Sequence, residues 1–395
     1  MQIAFFPWLY LKEPITLGTL TFLPFRDERG NFPAPLTDLA DSLTIILRGY
    51  VDMHGEPIDK CVVVTHSGRD PVWNLEDDDH NLVRRCALIL ALAAISKNAY
   101  NTNIGCYANS TTFQFFRQRF TEPVEYIAFG VRRRDGSTTD AGYRHGEIKF
   151  TVPPQSKSLR ETCIDAEFAV AIERAVAANS PTARRLIPAL SFFSLANTDS
   201  DVMDQDAEVI LFGSGFEQLL NAYNRTNLNR ATGNLLQPYA STTVEQALAA
   251  RPGIVVEPEY AAAQRAWPLH RKWAQELYDL RSTYAHGLDY AARTWGWAPI
   301  EHVVMAAFVF PLLVKLLLTS EGYYTLADDD DGMLAAIDKL LGTTRWAQRV
   351  PNKNATFWQD VLFDTKHDRA LSRVIKEWIE EQKQKEPEVE GKEGG

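Results

Sequence analysis

Cysteine is scarce and scattered in this sequence: Cys61, Cys86, Cys106 and Cys163 form no CxxC pair and have no close-set histidine partners. That spacing excludes a disulfide framework and the usual zinc sites, and it predicts reduced, mostly buried thiols. Positive charge is also in deficit, the formal net charge being −10. Non-specific nucleic-acid affinity comes largely from Lys and Arg neutralising phosphates, so any RNA site must be a local basic patch. No uninterrupted apolar run reaches the roughly 20 residues a spanning helix needs. The longest, Val303 to Leu318, is broken by Pro311 and Lys315 and reads as a buried core helix. The apolar start, Met1 to Leu11, lacks a basic n-region, and Lys12, Glu13 and Pro14 interrupt it, so it reads as a strand and not a signal. Together these features point to a cytoplasmic protein with no membrane partner.

Several chemical motifs are missing as well. Gly213-Ser214-Gly215 has no preceding strand and no following Gly-Lys-Ser/Thr, so it is not a phosphate loop. Gly105, Ser110 and His66 offer no spacing that would support a serine or cysteine hydrolase. The acidic runs Glu76 to His80 and Asp328 to Asp331 lack calcium-loop spacing and read as solvated loops and helix-start charge. No metal site and no cofactor are expected, and there is no internal repeat.

What remains is ordinary globular composition, 45% hydrophobic and 23% charged over 395 residues, long enough for two unlike halves. Short strand-like runs separated by turns fill the first half: Thr19 to Phe25, Leu43 to Val51, Cys61 to Thr65, Val124 to Arg132 and Glu147 to Val152. One helix, Asn81 to Lys97, intrudes, with Asp77, Asp78 and Asp79 at its positive end. The densest basic patch there is Arg132, Arg133, Arg134, Arg144 and His145, which suits a charged hairpin end better than a phosphate contact. After Pro153-Pro154 the periodicity turns helical: Leu159 to Ala178, Thr182 to Leu195, Asp206 to Tyr223, Thr243 to Ala250, Pro268 to Ala285, Ile300 to Thr319, Asp331 to Leu341 and Thr356 to Gln384. The expected class is α+β. A strand-rich mixed domain over 1–154 is followed by an all-helical domain over 155–345, a helical extension over 346–384 and a disordered acidic tail over 385–395.

The helix from Pro268 carries the most chemistry. Proline suits a first helical position, and Leu269, Trp273, Leu277, Leu280 and Tyr284 form one apolar stripe. Arg281 falls at the margin of that stripe, so its guanidinium can emerge from a partly desolvated wall and clamp an anion. His286 lies five residues further on, about 140° round an ideal helix, so the two cooperate only if the backbone bends. Gly287 supplies the bend by ending the helix in a left-handed conformation. Such a pair suits metal-free phosphoryl transfer on RNA, with His286 moving a proton and Arg281 stabilising the phosphorane. A carbonyl cap with a surface ion pair is the structural alternative. Glu217, set among Phe216, Leu219 and Leu220, needs a cationic partner if buried, with Arg281 the candidate; an exposed surface position is the other reading. Tyr278 and Tyr284 suit core packing, with stacking on a base as the alternative.

The segment Glu276-Leu277-Tyr278-Asp279-Leu280-Arg281-Ser282-Thr283-Tyr284-Ala285-His286-Gly287 resembles the RxxxxH signature of HEPN domains, most like the ApeA-like branch. Ile210 to Leu220 is similar to the helix in such domains that carries an acid amid apolar residues. The likeness covers roughly Thr162 to Leu341 and leaves the first 150 residues unexplained. It implies a helical bundle and a metal-independent ribonuclease of toxin–antitoxin, abortive-infection or phage-defence type, dimeric, with Arg281 and His286 at the catalytic positions. It also implies RNA, such as tRNA or mRNA, as substrate, an antitoxin or phage-derived trigger as partner, and a sensing or restraining role for 1–154. Relatives often place Asn, Asp or His directly after the Arg, whereas this chain has Ser282, which can hydrogen-bond phosphate but cannot titrate near neutral pH. Some relatives are non-catalytic, so the rival expectation is a dimerising or binding scaffold that regulates a partner.

Overall fold

The computed structural model describes residues 1–26, 34–52, 54–70, 72, 75–98, 109–135, 137–152, 161–198 and 202–344, together with Thr365, Leu371, Val374, Ile375, Trp378 and Ile379. The chain is α+β. Its first part holds β1 (Gln2–Phe6), β2 (Ile15–Leu17), β3 (Leu20–Arg26), α1 (Ala40–Leu47), β4 (Tyr50–Val51), β5 (Lys60–His66), α2 (Asp77–Asn98), β6 (Phe116–Phe120), β7 (Tyr126–Arg132), β8 (Thr138–Arg144) and β9 (Phe150–Thr151). Helices follow: α3 (Ala166–Ala177), α4 (Pro181–Ala196), α5 (Gln205–Leu220), α6 (Arg225–Leu236), α7 (Val244–Ala247), α8 (Ala261–Arg265), α9 (Leu269–Ala285), α10 (Pro299–Ser320) and α11 (Asp328–Gly342).

Seven strands form one sheet in the order β2-β3-β5-β1-β6-β7-β8, every neighbouring pair antiparallel, and β4 and β9 pair separately in parallel. Alternate side chains of a strand face opposite sides, so Ile3, Phe5, Cys61 and Val63 pack with Leu43, Ile46 and Leu47 of α1 on one face. Ala4, Phe6, Phe22, Val62 and Val64 point the other way and join α2. Both faces of the central strands are covered, which is why β1 is buried at every position.

The second core does not stop at the sheet. It runs from Ala4 and Phe6 through Ile89, Leu90 and Ile95 of α2 into Phe168, Leu186, Phe212, Trp273, Phe310 and Leu340. The strands thus give way to helices between β9 and α3, while the apolar interior is continuous from one region to the other. At its centre lies α10, where Phe310 stacks on Phe193 at 4.5 Å between ring centroids and meets Phe216 edge-on at 5.5 Å. Each such fully buried large apolar side chain stabilises the fold by about 1.5–3 kcal/mol. Among the described residues α10 is the one helix long and apolar enough to cross a membrane, and 78% of its most apolar stretch is buried inside the chain.

Some expected elements differ. Leu43 to Val51 is not one strand: its apolar residues recur at Leu43, Ile46, Leu47 and Tyr50, a helical spacing, and α1 buries that face before the short β4. Pro268 precedes α9 as its N-cap in extended conformation, because the Leu269 N–H is already committed to the Thr242 carbonyl at 3.0 Å. The helix expected from Leu159 begins at Ala166, where the Asp165 carboxylate accepts from the Phe168 N–H. The acidic start of α11 is not wholly solvated: Asp330 is buried, accepting from Lys315 Nζ at 2.6 Å and from the Tyr324 hydroxyl at 2.7 Å. Cys61 and Cys86 are buried as expected, but Cys163 is exposed. Cys106, the Pro153-Pro154 boundary, most of 356–384 and the acidic tail lie outside the described residues.

Candidate functional site

Three helices assemble the site. α9 is long and amphipathic, with Leu269, Trp273, Leu277 and Leu280 buried, and it packs along α5 on one flank and α6 on the other. Arg281 sits where α9 meets α5. A Cβ on Gly213 would fall 2.6 Å from Arg281 Cγ, so the arginine stem lies where α5 carries no side chain. The guanidinium then runs to Glu217, one turn further along α5, with Nη2 donating to Oε2 at 3.2 Å. Glu217 is buried, its side chain 9% exposed, and Arg281 is about a quarter exposed. Burial raises the Glu217 carboxyl above its ordinary range, and the neighbouring Arg281 offsets part of that rise. The pairing expected from sequence is therefore present, and Glu217 is not an exposed surface acid.

His286 ends the same helix. Its N–H bonds to the Ser282 carbonyl at 3.1 Å, the Gly287 N–H to Tyr284 at 3.1 Å and the Leu288 N–H to Thr283 at 2.9 Å. This is a Schellman closure, and Gly287 holds the required positive φ of 61°. The bend leaves the imidazole exposed at the carboxyl end of α9, and its ring makes no hydrogen bond to a described residue. The other described histidines of the helical region are sequestered: His270 pairs with Asp338 at 2.9 Å and His302 with Glu276 at 3.3 Å, both buried. His286 is therefore the one described histidine of the helical region that faces solvent.

The supporting residues divide. Ser282 is half-buried beside Arg281 and gives its carbonyl to the helix cap. Tyr278 and Tyr284 both pack against the core. Tyr284 also stacks on Tyr290 at 6.0 Å, and Tyr290 stacks on Trp295 at 5.4 Å. Burial and the nearby Asp206 carboxylate raise the Tyr284 hydroxyl well above the ordinary phenol range, so it stays protonated.

Other members of the neighbourhood were not singled out by sequence. Arg225, at the start of α6, bridges Asp279 at 3.0 Å and Glu257. Lys272 is buried on α9, and burial lowers its ammonium below the ordinary range. The signal for α6 was weak because Arg225-Thr-Asn-Leu-Asn-Arg-Ala-Thr is polar, although Asn224 caps it through the Asn227 N–H. Among the described residues no three His, Cys, Asp or Glu side chains are grouped closely enough to hold a metal ion. The basic residues at the β7–β8 end are part of a hairpin, in which Arg133 donates to the Thr139 hydroxyl at 2.7 Å. Comparison with protein-family models, curated proteins and solved structures returns no significant match.

Proposed function

We propose that the chain is a metal-independent endoribonuclease of the HEPN type, a toxin-like or phage-defence effector that cleaves cellular RNA in the cytoplasm. One observation carries the reading: an arginine held at the rim of a buried helix interface stands five residues before an exposed histidine on a glycine-closed helix end. In the proposed reaction a ribose 2′-oxygen attacks the adjacent phosphorus while a histidine removes its proton. The new P–O2′ bond forms, the P–O5′ bond breaks, and an acid protonates the departing 5′-oxygen. Arg281 stabilises the charge on the pentacoordinate phosphorus. A second copy of the chain supplies the second histidine, so that His286 of each copy acts once as base or acid. The sheet region restrains or triggers the helices, and an antitoxin or phage-derived component is the expected regulator.

Purified protein incubated with bulk RNA in EDTA tests this. Cleavage by the unmodified chain, reduced at least about 100-fold in both Arg281→Ala and His286→Ala, is the expected result. Equal cleavage by all three proteins, or none under any activating condition, contradicts it.

A scaffold without catalysis is the second reading, and a specific contact favours it. Arg281 already faces Glu217, and Ser282 brings no titratable group to the pair. In that case Arg281→Ala changes stability or assembly while RNA remains intact.

A further inference from the structure

α9 carries a second arginine, ten residues before Arg281. Arg225, Arg251, Arg265 and Arg281 each face a carboxylate. Arg271 faces none among the described residues, and neither does Arg230, which lies exposed on α6. The two guanidinium groups are close enough that like charge adds to burial in lowering Arg271 below its ordinary value, with no opposing acid.

The local geometry holds this repulsive pair in place. The stem of Arg271 crosses α6 at Gly233, where a Cβ would fall 2.9 Å from its Cδ and 3.0 Å from its Cγ. Gly233 stands three residues after Arg230, on the same face of α6. The Arg271 guanidinium lies over the Trp267 ring, 4.0 Å from its centroid. Arg271 Nε is buried without a hydrogen-bond partner among the described residues. Folding gains nothing from setting two cations side by side, whereas an anion between them would neutralise both.

We propose that Arg230 and Arg271, backed by Trp267, bind a backbone phosphate of single-stranded RNA whose scissile linkage lies at Arg281 and His286. Ten residues of α9 separate the sites by about 15 Å, room for a few nucleotides of backbone. With a net charge of −10, affinity for a polyanion must come from such local basic contacts. The inference rests on the ribonuclease reading for the identity of the polymer, and it is tested by binding, so that either can fail alone.

The experiment uses the full chain and a labelled 2′-O-methyl oligoribonucleotide, which a 2′-hydroxyl mechanism cannot cut, read by fluorescence anisotropy over a salt series. Arg230→Glu, on an exposed side chain, is expected to weaken binding at least about tenfold and to lower the salt slope by about 1 to 2. Its melting temperature should not fall, and should rise slightly, since the new carboxylate pairs with Arg271. Arg271→Gln, which keeps the stem over Gly233, should weaken binding in the same way. Unchanged affinity and salt slope in both arginine variants, or no binding by the unmodified chain at low salt, overturns the proposal. So does a loss confined to a labelled polyglutamate peptide, which would mark an acidic protein partner instead.

Discussion

Arg281 is positioned by what α5 lacks at Gly213 and by what it offers at Glu217, and each half of that arrangement can be altered by itself. Gly213→Ala places a methyl group inside the van der Waals radius of the arginine stem. The expected outcome is a loss of about 1–3 kcal/mol in denaturant unfolding, with displacement of the guanidinium and reduced cleavage. Glu217 gives a pH signature. Its carboxyl ionises above the usual range in the fold because burial outweighs Arg281. A raised acid contributes stability that is present below its unfolded value near 4.3 and is lost as pH rises through the folded one. The unmodified chain should therefore gain melting temperature relative to Glu217→Gln as pH falls from 7 to about 4. A constant difference across that range would show that Glu217 is not strained by burial. The Glu217–Arg281 pair was legible in sequence, because an acid inside an apolar helical run demands a partner. The glycine was not, since its role depends on how closely two helices approach, which no spacing along one chain encodes.

At the scale of elements, α9 functions through its ending. The Schellman bonds and the positive φ of Gly287 turn the chain so that His286 leaves the helix in the open. Nothing lies within 4 Å of a Cβ placed on Gly287, so Gly287→Ala meets only the backbone strain of a left-handed alanine. That should cost about 1 kcal/mol and lower cleavage more than stability, as measured by melting temperature and rate on one preparation. The glycine stop was readable from the residue type alone. Two other elements were not read. The α1 segment mixes β-branched and apolar residues that suit a strand by composition, and only its spacing of three and four marks the helix. α6 has too few apolar residues to announce itself, yet Leu228 and Leu236 are enough to dock it on α9 once the neighbours exist. Missing α6 also hid the Arg230–Arg271 pair, whose members lie about 40 residues apart in sequence.

At the scale of the whole molecule, one core passes from the sheet through α2 into the helices and reaches α5 and α9. A buried charge cluster lies within it. Lys315, towards the carboxyl end of α10, reaches Asp165 at 2.7 Å and Asp330 at 2.6 Å, tying the starts of α3 and α11 to the central helix. Lys315→Met would leave the buried Asp330 without its cation and Asp165 with only the more distant Lys97 at 3.9 Å, and should destabilise the fold by about 3–5 kcal/mol in denaturant titration. In sequence the lysine registered only as an interruption of an apolar run, because its partners come from distant segments. The α+β order, a sheet region followed by a helical one, was legible from the change of periodicity; the shared interior was not, since α2 gives no sign of which region it will pack against.

The chemistry of the proposed site is tested most directly at the ends of its products. RNA cut by the unmodified chain in EDTA should carry 2′,3′-cyclic phosphate and 5′-hydroxyl termini, and a substrate with 2′-deoxyribose at the cut position should remain whole. Products bearing 5′-phosphates, or equal cleavage of the 2′-deoxy substrate, would contradict a reaction driven by the 2′-hydroxyl at Arg281 and His286.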